Sequence, residues 1–293
     1  MRGLVVILCT LLLAPTVAAE PLRLSDDTGR EIVLPGPARR IVSLAPHVTE
    51  LLFAAGAGEL VVGVDEFSDH PPTARALPRV GRHAGLDVEA ILALRPDLVI
   101  AWASGNRMPE LERLETLGVP VYRNEIRRID DIAASIETFG RLTGRPAAPQ
   151  AARALRERAA AIRARRRGDA PLTVFYQIWD RPLMTINGAH LISEALTLCG
   201  GQNVFARLPA LAPVIGIEGV LAADPQVILA AGSSAQNAEW LDGWRRWPAL
   251  SAVRDGNLYV LEADLMQRAS PRFLDGVEAL CAVLDTARSR SGQ

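Results

Sequence analysis

The chain has 293 residues, of which 49% are hydrophobic and 22% are charged, and its formal net charge is −1. This length and hydrophobic content allow two domains with separate cores. The near-neutral charge argues against a nucleic-acid-binding protein, which would carry an excess of basic residues.

The first residues have the pattern of a secretory signal peptide. Arg2 precedes an apolar run from Leu4 to Leu13, and small residues ending at Ala19 form a cleavage site. The apolar run is too short for a membrane anchor, which needs about 20 residues. We therefore predict a signal peptide over residues 1–19 and a soluble, exported mature chain.

Strand and helix patterns alternate in the first half of the mature chain. Residues 22–35 predict a β-hairpin that turns at Asp27-Thr28-Gly29. Apolar runs predict buried strands, and longer amphipathic stretches predict helices. The further predicted strands are 40–45, 60–65, 97–102 and 119–123, and the predicted helices are 49–55, 107–117 and 129–142.

A helical connection and a second alternating series follow. Residues 148–167 are rich in Ala and Arg and predict a helix about 30 Å long, at 1.5 Å per residue. Because this helix stands where a flexible hinge would otherwise lie, we predict limited motion between the domains. The later predicted strands are 172–179, 226–231 and 258–263, and the helices are 190–199, 237–246 and 271–288.

Two segments of the chain share one pattern. Residues 86–101 read LDVEAILALRPDLVIA, and residues 215–230 read IGIEGVLAADPQVILA, so that Glu89 aligns with Glu218. Each segment has a Glu in the first turn of a short helix, a turn with Pro, and an apolar strand. This repeat predicts two similarly built lobes rather than a short-period repeat array.

These patterns together predict an α/β fold. Strands that alternate with helices favour mostly parallel sheets. We expect two Rossmann-like lobes joined by one long α-helix, with the ligand in the crevice between them. The predicted N-terminal lobe covers residues 20–145, the inter-lobe helix covers 146–168, and the C-terminal lobe covers 169–293.

Removal of the signal peptide leaves two cysteines, Cys199 and Cys281, both in the second lobe. Two cysteines in an exported protein predict a disulfide, and two buried free thiols are the alternative. They are too few and too far apart for a zinc cluster, and we predict no metal site.

Motifs of common enzyme classes are absent from the sequence. It contains no G-x-S-x-G, no H-E-x-x-H and no P-loop. Gly56-Ala57-Gly58 lacks the third glycine of a dinucleotide fingerprint, since Val61 occupies that position. We therefore predict no catalytic residues and no cofactor, with an exported α/β enzyme as the remote alternative.

Five segments resemble a known family. RIVSLAPHVTELLFAAG, VGVDEFSDHPP, ILALRPDLVIAW, LCGGQNVF and DLMQRASPR have the order and spacing of class III periplasmic substrate-binding proteins. They most resemble the cobalamin (vitamin B12) receptors of this helical-backbone class, over about residues 38–288. The resemblance implies a periplasmic protein, monomeric when free, that carries a corrinoid to an ABC permease dimer in the inner membrane. Haem and ferric-siderophore receptors share the architecture and are the alternative.

The resemblance also indicates ligand-binding residues at the carboxyl ends of strands, where parallel α/β sheets bind ligands. Phe67 stands where the family has Tyr, Trp102 falls on a family Trp, and His83 replaces a second Trp. Trp179 is expected to supply further aromatic area. The predicted ligand-binding residues are Phe67, His83, Trp102, Trp179, Met184, Asp264 and Arg268.

Some of these residues have alternative roles. Trp102 could belong to the core, and Asp264 could simply pair with Arg268. His190 is expected to begin a helix near the crevice without a special role. Trp240 and Trp244, which are four residues apart, are expected to pack their helix onto the lobe.

Glu89 and Glu218 are predicted to dock the protein on its permease. In the resembled family, the permease dimer presents two matched Arg-rich pockets, and the two carboxylates occupy matched positions in the two lobes. The alternative is that each Glu acts only within its own helix, because a carboxylate in the first turn interacts favourably with the helix dipole and stabilises the helix by about 0.3–1 kcal/mol.

Overall fold

The structure is a computed structural model that describes residues 21–82, 85–165, 170–232 and 234–291. The predicted signal peptide and His83 lie outside these residues. No helix within these ranges is both long and apolar enough to cross a lipid bilayer.

In the described residues, the first lobe contains a β-hairpin, a parallel sheet, a short two-stranded pair and four α-helices. Its strands are β1 (Leu22–Ser25), β2 (Glu31–Leu34), β3 (Ile41–Ser43), β4 (Val61–Val64), β5 (Gly81–Arg82), β6 (Gly85–Leu86), β7 (Leu98–Trp102) and β8 (Val121–Asn124). Its helices are α1 (Pro46–Ala54), α2 (Val88–Ala93), α3 (Met108–Thr116) and α4 (Ile129–Thr143).

The second lobe has the same kind of sheet and follows a connecting helix, α5 (Ala148–Ala164). Its strands are β9 (Leu172–Gln177), β10 (Gly201–Asn203), β11 (Val227–Gly232) and β12 (Leu258–Glu262). Its helices are α6 (Leu191–Leu198), α7 (Ile217–Ala223), α8 (Ser234–Trp244), α9 (Ser251–Arg254), α10 (Ala263–Met266) and α11 (Phe273–Ser291).

The two sheets have one topology. The strand order is β4-β3-β7-β8 in the first lobe and β10-β9-β11-β12 in the second, and all neighbours are parallel. In each lobe the first strand of the sheet therefore lies between the second and the third. The prediction of an α/β fold with two similarly built lobes is confirmed, as is the antiparallel β1–β2 hairpin.

Several local features were not predicted. The short pair β5–β6 and the three-residue strand β10 carry too few apolar residues to show strand periodicity. Helix α1 begins at Pro46, three residues earlier than predicted, because a proline is well accommodated in the first turn, where its missing N–H has no helical partner. Helix α5 ends at Ala164 rather than at residue 167.

Alternate residues of the central strands face two different cores. In β7, Leu98 and Ile100 enter a core that continues through both lobes, whereas Val99 and Ala101 face an outer core of the first lobe alone. Phe175 of β9 faces the corresponding outer core of the second lobe. This two-residue period is that of a strand buried on both faces. The inner faces of both sheets thus share one apolar interior.

Helix α5 is held to both lobes by ion pairs. Arg156 pairs with Glu137 of α4 at 2.6 Å, and Arg158 pairs with Glu278 of α11 at 2.8 Å. Gly144 ends α4 with φ of 66°, a left-handed conformation that glycine adopts without strain. The chain therefore turns directly from α4 into α5, and the connection is a packed helix.

The second lobe contains a disulfide between Cys199, at the end of α6, and Cys281 of α11. This confirms the predicted pairing. The bond closes a sequence separation of 82 residues, which in the chain-entropy model stabilises the fold by roughly 4 kcal/mol.

Candidate ligand-binding site

Exposed aromatic side chains lie at or just after the carboxyl ends of strands in both lobes. Trp102 is the last residue of β7, Phe67 follows β4, and Trp179 follows β9. Their exposed fractions are 40%, 52% and 53%. Because soluble proteins bury most large apolar side chains, three exposed rings at the ligand-binding edge of parallel sheets mark a candidate site.

The position of Trp102 is set by its neighbours. Its backbone N–H donates to Oδ1 of Asn106 at 2.7 Å, and the Asn106 amide donates to the Leu44 carbonyl at 3.1 Å. The His47 ring meets the Trp102 ring edge-on, with centroids 5.4 Å apart. A Cβ atom at Gly105 would lie 1.9 Å from the Trp102 ring, so only glycine allows this approach. Trp102 is therefore a pre-positioned surface residue and not part of the core.

Trp179 lies in an aromatic pair of the second lobe. Its indole N–H donates to the Arg181 carbonyl at 3.0 Å, and its ring centroid lies 6.0 Å from that of Trp240. The backbone of Met184 pairs with Trp179. Trp244 is buried and donates to Gln177 at 2.8 Å. Trp240 also packs on the outer core of this lobe, as predicted, but the sequence did not reveal its contact with Trp179.

A buried carboxylate, Glu50 of α1, receives donors from the second lobe. Its side chain is 3% exposed. Arg272 donates to it from Nε at 2.9 Å and from Nη2 at 2.7 Å, and the Ser270 hydroxyl donates at 2.6 Å. Ser270 and Arg272 belong to the segment between α10 and α11, so these bonds cross from one lobe to the other.

Arg268 extends this network. Its guanidinium pairs with Asp69 of the first lobe, lies 3.5 Å from Glu50, and pairs with Asp264 at 2.9 Å. The pair between Asp264 and Arg268, left open by the sequence, is therefore present. We call the set formed by Glu50, Asp69, Arg268, Ser270 and Arg272 the inter-lobe polar network. That Asp264 and Arg268 contact the ligand stays a prediction.

The network holds its carboxylates in the ionised form. Burial alone would raise the pKa of Glu50, but the hydrogen bonds from Arg272 and Ser270 outweigh it and lower that pKa below its ordinary value. In the same way, Arg268 lowers the pKa of Asp69 against the effect of burial. Both carboxylates are therefore charged at neutral pH and attract the arginines of the opposite lobe.

The sequence analysis did not identify Glu50, Ser270 or Arg272 as functional. Glu50 is the only acidic residue of the apolar helix segment 46–54, and the other two lie in the RASPR segment. The sequence did contain one indication of this role. A single Glu within an otherwise apolar helix is expected to be buried, and a buried carboxylate requires a partner.

A cavity of about 80 Å³ lies between the lobes beside Trp102. The first lobe contributes His47 and Glu125 to its lining, and the second lobe contributes His190 and Met266. His47 is the second residue of α1. His190 caps α6, since its Nδ1 accepts the Ile192 N–H at 3.1 Å, which confirms that it begins this helix.

Both histidines are neutral at physiological pH. Burial lowers the pKa of His47 to about 4, although Asn124 and Glu50 act in the opposite direction. Burial, and then the positive charge of Arg127, lower the pKa of His190 to about 4. The cavity therefore presents two uncharged imidazole rings, one from each lobe.

Glu89 and Glu218 occupy the matched positions that the repeat predicts. Each lies in the first turn of its helix, α2 or α7, and both are exposed. The Glu89 side chain is 86% exposed, with Arg113 at 3.8 Å. The N–H of Ala90 is already capped by Asp87, so α2 does not depend on Glu89 for its cap.

Among the described residues, no group of three or more His, Cys, Asp or Glu side chains is arranged to hold a metal ion. His83, which the sequence analysis named as a ligand-binding candidate, lies outside them. The described part of the site is thus formed by aromatic rings, an ion-pair network and neutral histidines.

Replacing Glu50 with Gln is expected to lower the free energy of unfolding by about 1.5–3 kcal/mol, because the partly buried guanidinium of Arg272 loses its charged hydrogen-bond partner. Urea unfolding at pH 7 measures this. The control is Glu31→Gln, which removes an exposed ion pair with Arg23 and should cost under about 1 kcal/mol. Equal losses in the two variants would show that the network does not stabilise the fold.

Acid is expected to destabilise the protein before its carboxylates titrate. Because burial lowers the pKa of folded His47 from 6.5 to about 4, the unfolded chain binds a proton first as the pH falls. The free energy of unfolding should therefore decline between pH 6.5 and 4, by up to about 3 kcal/mol for this residue. Glu50, with its lowered pKa, contributes stability that is lost only below about 4.5.

Urea unfolding at pH 7, 6 and 5 measures this decline in the wild type and in the His47→Gln variant. The variant lacks the titrating ring, and its stability should fall less over this range. An equally steep fall in both proteins would mean that folding does not lower the pKa of His47, so that the ring takes up its proton at the same pH in the folded and unfolded states.

Comparison with known proteins identifies the family. A family model described as periplasmic binding protein matches residues 41–265. The vitamin B12-binding protein of Vibrio cholerae serotype O1 is 41% identical over 258 residues, which cover 87% of this chain and 92% of that protein.

Solved structures agree with this match. The crystal structure of the periplasmic vitamin B12-binding protein of Vibrio cholerae aligns with a TM-score of 0.79 and covers 87% of this chain and 99% of that one. A periplasmic haem-binding protein from Pseudomonas aeruginosa, 28% identical, aligns with a TM-score of 0.70 over 84% of this chain and 92% of its own. The prediction that the chain is not an enzyme is confirmed by this family. The chain belongs to the periplasmic binding protein family, whose members bind substrates for ABC importers.

Proposed function

We propose that the protein captures a corrinoid, cobalamin or cobinamide, between its lobes and delivers it to an ABC importer. The observation that carries this proposal is the set of exposed rings of Phe67, Trp102 and Trp179 at the strand ends of both lobes. The likeness to the vitamin B12-binding protein of Vibrio cholerae supports it.

The chemistry of a corrinoid suits these side chains. A corrin is a broad macrocycle with apolar faces and a rim of carboxamide arms. Aromatic rings that stay exposed in the free protein can bury those faces, at about 25 cal/mol per Å² of apolar surface. Met184 and His83 are proposed to add contacts, and Asp264 and Arg268 to meet polar groups at the rim.

The lobes are proposed to move little when the ligand binds. The apolar core is continuous through both lobes, and the inter-lobe polar network joins them across the crevice. Domains move freely only where the interface between them is small and polar. The crevice is therefore largely preformed, which keeps the entropic cost of binding low.

The location and the domain limits are part of this proposal. The family is periplasmic, and we infer that a signal peptide over residues 1–19 directs export and is cleaved near Ala19. The proposed N-terminal lobe covers residues 20–145, and the inter-lobe helix covers 146–168. The C-terminal lobe covers 169–293, and the free protein is proposed to be a monomer.

Replacing Trp102 with Ala is expected to weaken corrinoid binding by roughly 1–3 kcal/mol, because a large apolar contact is lost. Titration calorimetry with cobalamin and cobinamide measures the affinities, and thermal unfolding monitors the fold. The control is Leu117→Ala, which shortens an exposed apolar side chain outside the crevice and should leave affinity unchanged.

Two results would contradict this proposal. If the wild type binds haem tightly but binds neither corrinoid at tens of micromolar, the protein is a haem receptor. If Trp102→Ala binds corrinoid as tightly as the wild type, Trp102 does not contact the ligand.

Reversing the charge of both Glu89 and Glu218 to Arg is expected to abolish uptake while leaving ligand affinity intact. A carboxylate that docks on an Arg pocket forms a charge-assisted bond, and its reversal places like charges together. The measurements are ligand affinity in solution and transport through the cognate permease in proteoliposomes. The control is Glu31→Arg with Glu157→Arg, which changes the net charge equally at two other exposed positions.

Uptake at the wild-type rate by the Glu89→Arg, Glu218→Arg protein would overturn the docking role. Each residue would then only stabilise the first turn of its own helix, by under about 1 kcal/mol.

A further inference from the structure

We propose that the cavity between the lobes is a subsite for one neutral carboxamide arm of the ligand, and that His190 is the residue that donates a hydrogen bond to it. This inference rests on the proposed corrinoid function and identifies a specificity-determining residue for it.

The cavity has a size and lining that suit a short polar arm. Its volume of about 80 Å³ is ample for a small polar group, since even one water requires a cavity of at least ~10–15 Å³. It opens beside Trp102, and its polar lining includes Glu125 and Arg127 of the first lobe and His190 of the second. Pockets of this kind bind ligands through a few placed polar groups within an otherwise apolar lining.

The hydrogen bond that caps α6 determines the tautomer of His190. Its Nδ1 accepts the N–H of Ile192 at 3.1 Å and is therefore unprotonated. The ring is neutral, since burial and Arg127 lower its pKa to about 4, so the proton resides on Nε2. Within the described ranges of the chain, no protein acceptor for this Nε2–H is found. His190 can therefore donate to a ligand while it caps the helix.

Glu125 supplies the complementary acceptor. Its Oε1 accepts from the Ser104 hydroxyl at 3.1 Å and forms an ion pair with Nε of Arg127 at 2.6 Å, and its Oε2 accepts from the Ser104 N–H at 3.0 Å. An ionised carboxylate has about four acceptor positions, so a position on Oε2 remains. A carboxamide has one carbonyl oxygen to accept from His190 and an NH₂ group to donate to Glu125.

The charges of the subsite favour an amide over a carboxylate. Glu125 and Arg127 form an ion pair, and His190 is neutral, so the described polar lining carries no net charge. An amide arm matches this lining, whereas a buried carboxylate would lack a compensating charge. Corrinoid arms are carboxamides, and haem arms are carboxylates. The subsite would therefore discriminate between two ligand classes that bind to the same fold.

The test separates the capping role of His190 from its donor role. In His190→Ser the hydroxyl oxygen can still cap α6, but Nε2–H is lost, whereas His190→Ala loses both. Calorimetry measures the affinity for cobinamide and for an analogue whose amide arms are hydrolysed to carboxylates. Thermal unfolding shows whether the loss of the helix cap lowers the melting temperature. Both variants should bind cobinamide about three- to tenfold more weakly, as expected for one hydrogen bond, and only His190→Ala should melt earlier.

A second variant tests the acceptor side. Glu125→Gln leaves the charge of Arg127 uncompensated, so this protein should bind the carboxylate analogue more tightly than the wild type does and lose its preference for amide arms. An unchanged preference would overturn the subsite.

The remaining outcomes are also decisive. Wild-type affinity for cobinamide in His190→Ser would show that His190 only caps its helix, and the corrinoid function would stand without this subsite. If the wild type binds neither cobinamide nor cobalamin, the proposed function fails and the subsite fails with it.

Discussion

The geometry of the crevice depends on a single buried carboxylate. Glu50 lies on the first lobe, and its three close donors come from Ser270 and Arg272 of the second lobe. Burying an ionised carboxylate costs several kcal/mol unless its hydrogen bonds and charge are satisfied. Any movement that opened the lobes at this point would separate the charge from its partners. The network therefore opposes separation of the lobes and favours a single distance between them.

The apolar interior acts in the same direction. In β9, Leu172, Val174 and Tyr176 point into the core that also receives Leu98 and Ile100 of β7. Exposing this core would forfeit the hydrophobic burial of both sheets at once. The packed connection through α5 adds ion pairs to α4 and α11. We propose that a receptor held in this way selects its ligand by the surfaces that it presents, without a large closure of the lobes.

Those surfaces follow from the topology of parallel sheets. The parallel strands end at the edge that faces the crevice. Trp102 at the end of β7 and Trp179 just after β9 are therefore exposed, whereas Ile100 and Gln177, two positions earlier in each case, are buried. Their rings are fixed by local contacts, with Gly105 and His47 around Trp102 and with Trp240 beside Trp179. Fixed rings lose little entropy when a ligand covers them. Relatives that bind different macrocycles can therefore share the scaffold and differ in these few side chains.

The sequence by itself determined the α/β class, the repeated lobes, the hairpin and the cysteine pair, because each follows from local periodicity, from a repeat in fixed order or from a cysteine count. It also placed Trp102 at a strand end. The tertiary structure alone decided that Glu50 meets Arg272, 222 residues away, that Trp240 reaches Trp179, and that His190 shares a cavity with Glu125. Strand and helix periods indicate which face of an element is buried, but not which side chain of the other lobe lies opposite. That choice depends on how the two sheets are positioned over their shared core.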